Sequence, residues 1–142
     1  MKVVCTTAFA FCEKLTAVNI PEGVTHLCVD AFAWDSCVVS VSLPSSLEVI
    51  DRGVFWYCSS LKEVTIPKSV KRLGDYSFYY CDALTDVYML PTVPPEICAP
   101  FKYNTVNIHV PVGCADAYRK APGYGNYNLV DDIPLAECSA EE

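Results

Sequence analysis

Nine cysteines, two histidines and the adjacent pair Asp131–Asp132 are the residues of this 142-residue chain that could hold a metal, carry a redox couple or move a proton. Their spacing argues against each of these uses. No two cysteines stand in C-x-x-C order, so the zinc-ribbon and thioredoxin patterns are missing. His26 and His109 are expected to be solvated surface side chains, since neither has a second histidine at ligand spacing. No G-x-S-x-G elbow occurs, and Gly123-Tyr-Gly125 lacks the third glycine and preceding strand of a dinucleotide loop. Asp131–Asp132 is expected in a polar tail outside the packed body. No catalytic residue, metal ligand or cofactor follows from these patterns.

The aromatic residues carry more. Phe11, Trp34, Tyr57 and Tyr80 stand at equal intervals, and Trp56 and Tyr79 stand one residue before the last two. If this spacing is structural, Trp34, Trp56, Tyr57, Tyr79 and Tyr80 form an aromatic strip along one edge of the molecule. Such a strip suits a protein or glycan partner, because aromatic rings stack on sugars and anchor protein interfaces. It equally suits a seal over the turn backbone, with no ligand.

The interval belongs to the whole chain. Phenylalanine recurs at Phe9, Phe32, Phe55, Phe78 and Phe101, every 23 residues. Further apolar columns keep the same step: Leu15, Val38, Leu61, Leu84; Val18, Val41, Val64, Val87; Ile20, Leu43, Ile66, Met89; Val24, Leu47, Val70, Val93; Leu27, Ile50, Leu73. Pro21, Pro44 and Pro67 punctuate each unit. A unit this short cannot bury its own apolar face and stacks on copies of itself, which makes a solenoid. Within a unit Leu61-x-x-Val64-x-Ile66 alternates like a half-buried strand, Pro67 stops it, and Val70-x-x-Leu73 begins a second extended piece. The compact turn from Tyr76 to Cys81 follows, with Phe78 inward. The outward strand positions, such as Thr16, Val39, Lys62, Thr85 and Ala17, Ser40, Glu63, Asp86, are mostly small and polar and suit a broad contact better than a deep pocket.

The same register places the cysteines. Cys12, Cys58 and Cys81 share one column, in which Asp35 takes the second place, and Cys5 and Cys28 share another. Both columns are expected as small inward residues stacked rung over rung. In-register parallel stacking sets their Cβ atoms about 4.8 Å apart, beyond the usual 3.5–4.5 Å of a disulfide, so stacked thiols are expected.

Toward the C-terminus the repeat degrades. The column of Leu27, Ile50 and Leu73 meets Glu96, and Pro91-Thr-Val-Pro-Pro-Glu-Ile-Cys-Ala-Pro is expected to replace the second strand. The last strand, 106–110, comes two residues early. Cys114 to Ala121 reads as a short helix ended by Pro122-Gly123.

The unit A-F-x-x-C-x-x-L-x-x-V-x-I-P-x-x-V-x-x-I resembles the leucine-rich repeat of BspA-like bacterial surface proteins, the Treponema pallidum type. The resemblance covers residues 1 to 130, including Ile108-His-Val-Pro-Val-Gly-Cys-Ala-Asp-Ala-Tyr, which is similar to the terminal segment of such proteins in gut Bacteroidota. It implies a β-rich solenoid of right-handed coils, with about four 23-residue repeats over 1–100, a C-terminal cap with a short helix over 101–130, and an acidic tail over 131–142. It also implies a cell-surface or secreted setting, and a non-catalytic binding module of adhesion type. A spacer or capping segment of a longer repeat protein is the alternative. In many units of this family small or turn-forming residues stand where this chain has its aromatic strip.

Charge narrows the partners. The net charge is −7, of which Asp131, Asp132, Glu137, Glu141 and Glu142 supply five. The remaining body holds 12 acids against 10 bases, so it lacks the basic field that nucleic acid or an anionic membrane requires. No run has the length of a membrane-spanning helix. Met1-Lys-Val-Val-Cys has no apolar h-region, and Val4 falls in the column of Leu27, so the chain opens halfway through a repeat. Either the gene start is internal or the chain is a fragment of a longer exported protein, and the fragment is the expectation. Its uncapped end would offer end-to-end self-association.

Overall fold

The computed structural model describes residues 2–101 and 106–135. The chain coils, and each coil lays down one strand on each of two faces. The second face is a single sheet of β1 (Lys2–Val4), β3 (Val24–Leu27), β5 (Val49–Ile50), β7 (Arg72–Leu73) and β9 (Glu96–Ile97), in that order. The first face carries β2 (Ala17–Asn19) with β4 (Ser40–Ser42), then a separate sheet of β6 (Glu63–Ile66), β8 (Asp86–Met89), β10 (Asn107–Pro111) and β11 (Asn128–Ile133). All these pairings are parallel. Most keep the 23-residue offset of the sequence columns, as in Val18↔Val41, Val64↔Val87 and Ile50↔Leu73.

The period-2 alternation puts every second side chain inside. Phe32, Phe55, Phe78 and Phe101 are buried, with ring centroids 5.2–5.5 Å apart along the column. Leu61, Val64, Ile66, Val70 and Leu73 fill the same coil around Phe55, each at 2% exposure or less. Fully burying one such side chain stabilises by about 1.5–3 kcal/mol. Because each rung shares its apolar face with two neighbours, that stabilisation exists only for the stack.

The turn edge is laddered as well: Phe32 N–H donates to Val54 O, Phe55 N–H to Ser77 O and Phe78 N–H to Pro100 O.

Three local expectations are corrected. The proline-rich segment does not replace the second strand, because β9 lies within it. One extra residue sets Arg72 opposite Glu96 and Leu73 opposite Ile97, so Ile97, not Glu96, takes the apolar column. The same slip leaves Val93 outside, 77% exposed, although its column is otherwise buried. Asp131 and Asp132 lie in β11, paired along β10, and not outside the packed units. β10 does come two residues early, with Ile108 opposite Val87.

The C-terminal end is closed by α1 (Ala115–Lys120), with Asp116 in its first turn and Arg119 and Lys120 in its last, as the helix dipole favours. Tyr118, Tyr124 and Tyr127 are buried there. Tyr124 donates its hydroxyl to Pro95 O at 2.7 Å, Tyr127 to Phe101 O at 2.7 Å, and Tyr118 to Pro91 O. These carbonyls belong to the last coil on the β9 side, where no further strand follows β9 in its sheet among the described residues. Tyrosyl hydroxyls replace the missing rung as donors. Residues 102–105 of the expected cap and 136–142 of the expected tail lie outside the described residues.

Candidate functional site

The aromatic strip is one continuous stack. Phe11 lies on Trp34 with ring centroids 5.9 Å apart, Trp34 on Tyr57 at 3.8 Å, and Tyr57 on Tyr80 at 4.6 Å, all within 12° of parallel. Trp56 stacks on Tyr76 at 6.1 Å, and Tyr79 meets both Tyr76 and Tyr80 edge-on at 5.0 Å. The structure therefore brings together all five residues singled out by sequence and adds Phe11 and Tyr76. Tyr76 is hidden from a column reading because its equivalents are Thr7, Asp30, Gly53 and Ala99.

The backbone under the strip is unusual. Phe11, Trp34, Tyr57 and Tyr80 have φ of 62°, 66°, 62° and 57°, the left-handed region that bulky residues avoid. Tyr76 does the same at 58°. At the sister position Gly53 has φ of 69°, and a Cβ there would sit 2.0 Å from Asp30 Oδ1, so a side chain there would require Asp30 to move. A non-glycine residue in this region costs about 1–2 kcal/mol, whereas a stacked aromatic pair returns about 0.5–1.5 kcal/mol. Four strained residues against three stacked pairs at most about balance on these two terms. Stacking alone does not explain why the chain places aromatics there.

The stack also decides which surface is offered. Ring faces are spent against one another within the column, so a partner meets mainly ring edges. Phe11 is 66% exposed and Trp34 40%, whereas Trp56, Tyr57 and Tyr79 are half-buried. The Trp56 indole N–H is buried with no acceptor among the described residues. Tyr103 continues the Phe11–Trp34–Tyr57–Tyr80 interval in sequence and lies outside the described residues.

Behind the strip runs the cysteine column. Cys58 and Cys81 are buried, and their thiols donate to Phe32 O at 3.3 Å and Phe55 O at 3.1 Å, each 26 residues back. Burial, with Asp35 nearby, pushes the Cys58 thiol up to about 12, and burial raises Cys81 as well. Asp35 is fully buried in the same column and accepts the Cys12 N–H at 2.7 Å. Its Oδ2 has no partner among the described residues. The carbonyl in the thiols' place, 26 residues back, is that of Phe9. Desolvation raises Asp35 to about 6. A neutral Asp35 can donate as the thiols do; an ionised one cannot. The second cysteine column is corrected: Cys5 is exposed and Cys28 half-buried, because their column lies at the turn after the second strand.

On the first face His109 is not the solvated side chain expected. Its Nε2 lies 2.8 Å from Asp86 Oδ1, its Nδ1 2.9 Å from Asp132 Oδ1, and its ring stacks on Tyr88 at 4.5 Å. Both carboxylates are diagonal neighbours on flanking strands. Partial burial pulls the imidazole down, but hydrogen bonds to Asp86 and Asp132 outweigh it and the net shift is upward. Asp86 is lowered by the same His109 bond and by the Thr85 hydroxyl. Sequence reasoning missed this clasp because it placed Asp132 outside the sheet. His26 is half-buried against the Thr25 hydroxyl at 3.0 Å. Among the described residues no three His, Cys, Asp or Glu side chains converge as a metal site.

Residues 2–109 match the family described as the BspA type leucine-rich repeat region, in six copies. The structure is similar to that of the pneumococcal vaccine antigen PcpA, with a TM-score of 0.68 and 19% identity over 93% of this chain and 39% of that one. It is also similar to the T. pallidum leucine-rich repeat protein, with a TM-score of 0.69 and 23% identity over 94% of this chain and 64% of that one. At these identities the likeness shows the fold, and the chain spans well under half of the first relative's length and less than two thirds of the second's. No curated protein matches the sequence. No helix among the described residues is long and apolar enough to cross a membrane.

Proposed function

Because this chain belongs to the BspA-type leucine-rich repeat family, we propose that it is a non-catalytic binding module of a cell-surface or secreted protein, engaging a partner protein through the aromatic strip. In this reading residues 1–100 form the binding solenoid, 101–130 close it, and 131–142 form an acidic tail whose first residues complete the last rung. The stacked column of Phe11, Trp34, Tyr57 and Tyr80 carries the reading. These residues sit in a backbone conformation that aromatics avoid, and their stacking at most about offsets that cost. A protein partner suits the geometry better than a glycan, because a sugar stacks on a ring face and these faces are occupied.

The test is binding of the full chain to purified host-matrix proteins and to a glycan array, repeated with Trp34→Ala, Tyr57→Ala and Tyr80→Ala. Loss of about tenfold or more in affinity for a protein target per central substitution is expected, with the circular dichroism unchanged. Loss confined to a glycan would replace the protein partner with a sugar. Unchanged binding would leave the strip a seal and the module a spacer.

A further inference from the structure

Each coil has a second turn, between its first strand and its second. Pro21, Pro44 and Pro67 open three such turns, and their carbonyls accept the N–H groups of Val24, Leu47 and Val70. The boundary between the first two turns shows what such a turn can hold. Glu22 lays its carboxylate on the turn one rung on, where it accepts the Ser45 N–H at 2.9 Å and the Ser45 hydroxyl at 2.8 Å. Those two bonds hold the Glu22 carboxyl below its ordinary range. At the next boundary Ser45 stands in the column of Glu22, and Lys68 stands in the column of Ser45. Lys68 is exposed, and neither its backbone N–H nor its ammonium has a partner among the described residues.

Two grooves meet at this turn. One, of about 510 Å³, is walled by Val41, Leu43 and Leu90 and lies where the first face divides, since no ladder joins β4 to β6. The other, of about 420 Å³, is walled by Val70, Lys71 and Val93. It lies where the extra residue before β9 leaves Val93 outside the column. Lys68 and Ser69 line both grooves. No Asp or Glu lines either one, although the whole chain carries a net charge of −7. The Lys71 side chain is 77% exposed and reaches Glu48 only at 4.0 Å, so it too is available to a partner.

We propose that this edge binds an extended acidic segment of a partner protein. A Glu or Asp carboxylate of the segment sits on the Lys68 N–H and ammonium, and apolar neighbours enter the two grooves. Glu22 on Ser45 is the internal precedent, because there the backbone N–H and the side chain of one residue serve one carboxylate. An ammonium in place of the hydroxyl adds an opposite charge, and Lys71 adds a second. Apolar walls on either side favour apolar residues flanking the acid. The grooves lie on both sides of a single turn, so a chain in extended form crosses from one to the other over Lys68. This surface is separate from the aromatic strip and does not depend on it.

The experiment is a titration of the isotopically labelled full chain, followed by its backbone amide signals. The probe is a short peptide alternating valine with glutamate, compared with the same peptide carrying glutamine. The glutamate peptide should shift the Lys68 and Ser69 amides and bind about tenfold or more tighter than the glutamine one, less so as salt is raised. Lys68→Glu should weaken it by about tenfold or more, with Lys68→Gln as the milder variant, whereas Trp34→Ala should leave it unchanged. Ser45→Glu repeats the Glu22 arrangement one rung on. It should move the Lys68 amide signal with no peptide present and weaken the peptide by about tenfold. Equal affinity for the two peptides, binding of neither, or shifts confined to residues away from Lys68 would overturn the proposal. Free glutamate binding as tightly as the peptide would overturn the protein segment in favour of a small carboxylate. Loss of the peptide in Trp34→Ala but not in Lys68→Glu would place the acidic segment on the strip instead.

Discussion

The first and last described rungs are built from one repeat and packed in opposite ways. The first described rung keeps the repeat: Phe9 stacks on Phe32 at 5.2 Å, and no second ring stacks on it among the described residues. The last coil abandons the repeat. Pro91, Pro94, Pro95 and Pro100 remove backbone donors, and Tyr118, Tyr124 and Tyr127 supply hydroxyls to the carbonyls that remain. The difference teaches that the apolar columns build the stack but do not end it. Ending it requires each backbone group on the final coil to be removed or paired.

The sharpest test of that comparison uses one column. Phe55→Ala should cost about 3–5 kcal/mol, because the ring is fully buried between two others and the cavity cannot collapse. Phe9→Ala, half exposed, should cost about 1–2 kcal/mol, measured by denaturant melts at concentrations where only monomer is present. Lys62→Ala is the exposed control and should stay within about 0.5 kcal/mol. Equal losses at Phe9 and Phe55 would mean that the Phe9 ring is packed as closely as the central ones.

At the other end the hydroxyls are the target. Tyr124→Phe keeps the ring and strands the buried Pro95 carbonyl, at a cost of about 1–3 kcal/mol. Faster hydrogen exchange in α1 and β11, with the central rungs unchanged, should accompany it. If Tyr124→Phe is neutral, the carbonyl is satisfied otherwise and the closing role of the tyrosines fails.

Most of the stack was legible in the sequence, because a fixed 23-residue step writes strand positions, inward columns and the aromatic strip at once. What was not legible lies where the step breaks. One extra residue before β9 moved Ile97 into the core and Val93 out of it. Asp132 looked like part of a solvated charge run, because β11 has no repeat signature: only pairing with β10 makes it a strand. Tyr76 joined the strip from a column whose other members are small or polar. The positive φ of the strip residues was also out of reach, since Trp and Tyr are the last residue types that left-handed backbone would suggest.

A smaller effect separates the ends by pH. Asp35, in the second rung, is raised by burial to about 6 from its ordinary value near 4. Its neutral form is the one the fold favours, so its stability is complete below about pH 4 and is lost as pH rises through about 6. Asp35→Asn keeps an acceptor for the Cys12 N–H and adds a permanent donor. It should stabilise by about 1–2 kcal/mol at pH 7.5, discounted for the half-exposed Cys12 beside it, and by little at pH 4. A stability gap between Asn and Asp that does not change with pH would show that Asp35 titrates normally.

The clasp at the far end has the same sign in a later window. His109 is raised by Asp86 and Asp132, so its contribution is fully present below its ordinary value near 6.5 and is lost as pH rises through the raised folded value. Only the imidazolium donates from both ring nitrogens, so deprotonation surrenders one of the two bonds that tie β10 to β8 and β11. Asp132 is half exposed, which limits the clasp to under about 1 kcal/mol. Hydrogen exchange should therefore quicken in the first two rungs between about pH 4 and 6 and in β11 only above about pH 6.5. The later change should vanish in His109→Gln, whose amide does not titrate, while the earlier change persists. Loosening of both ends in one window would mean that a single group, not two separate ones, governs the pH response.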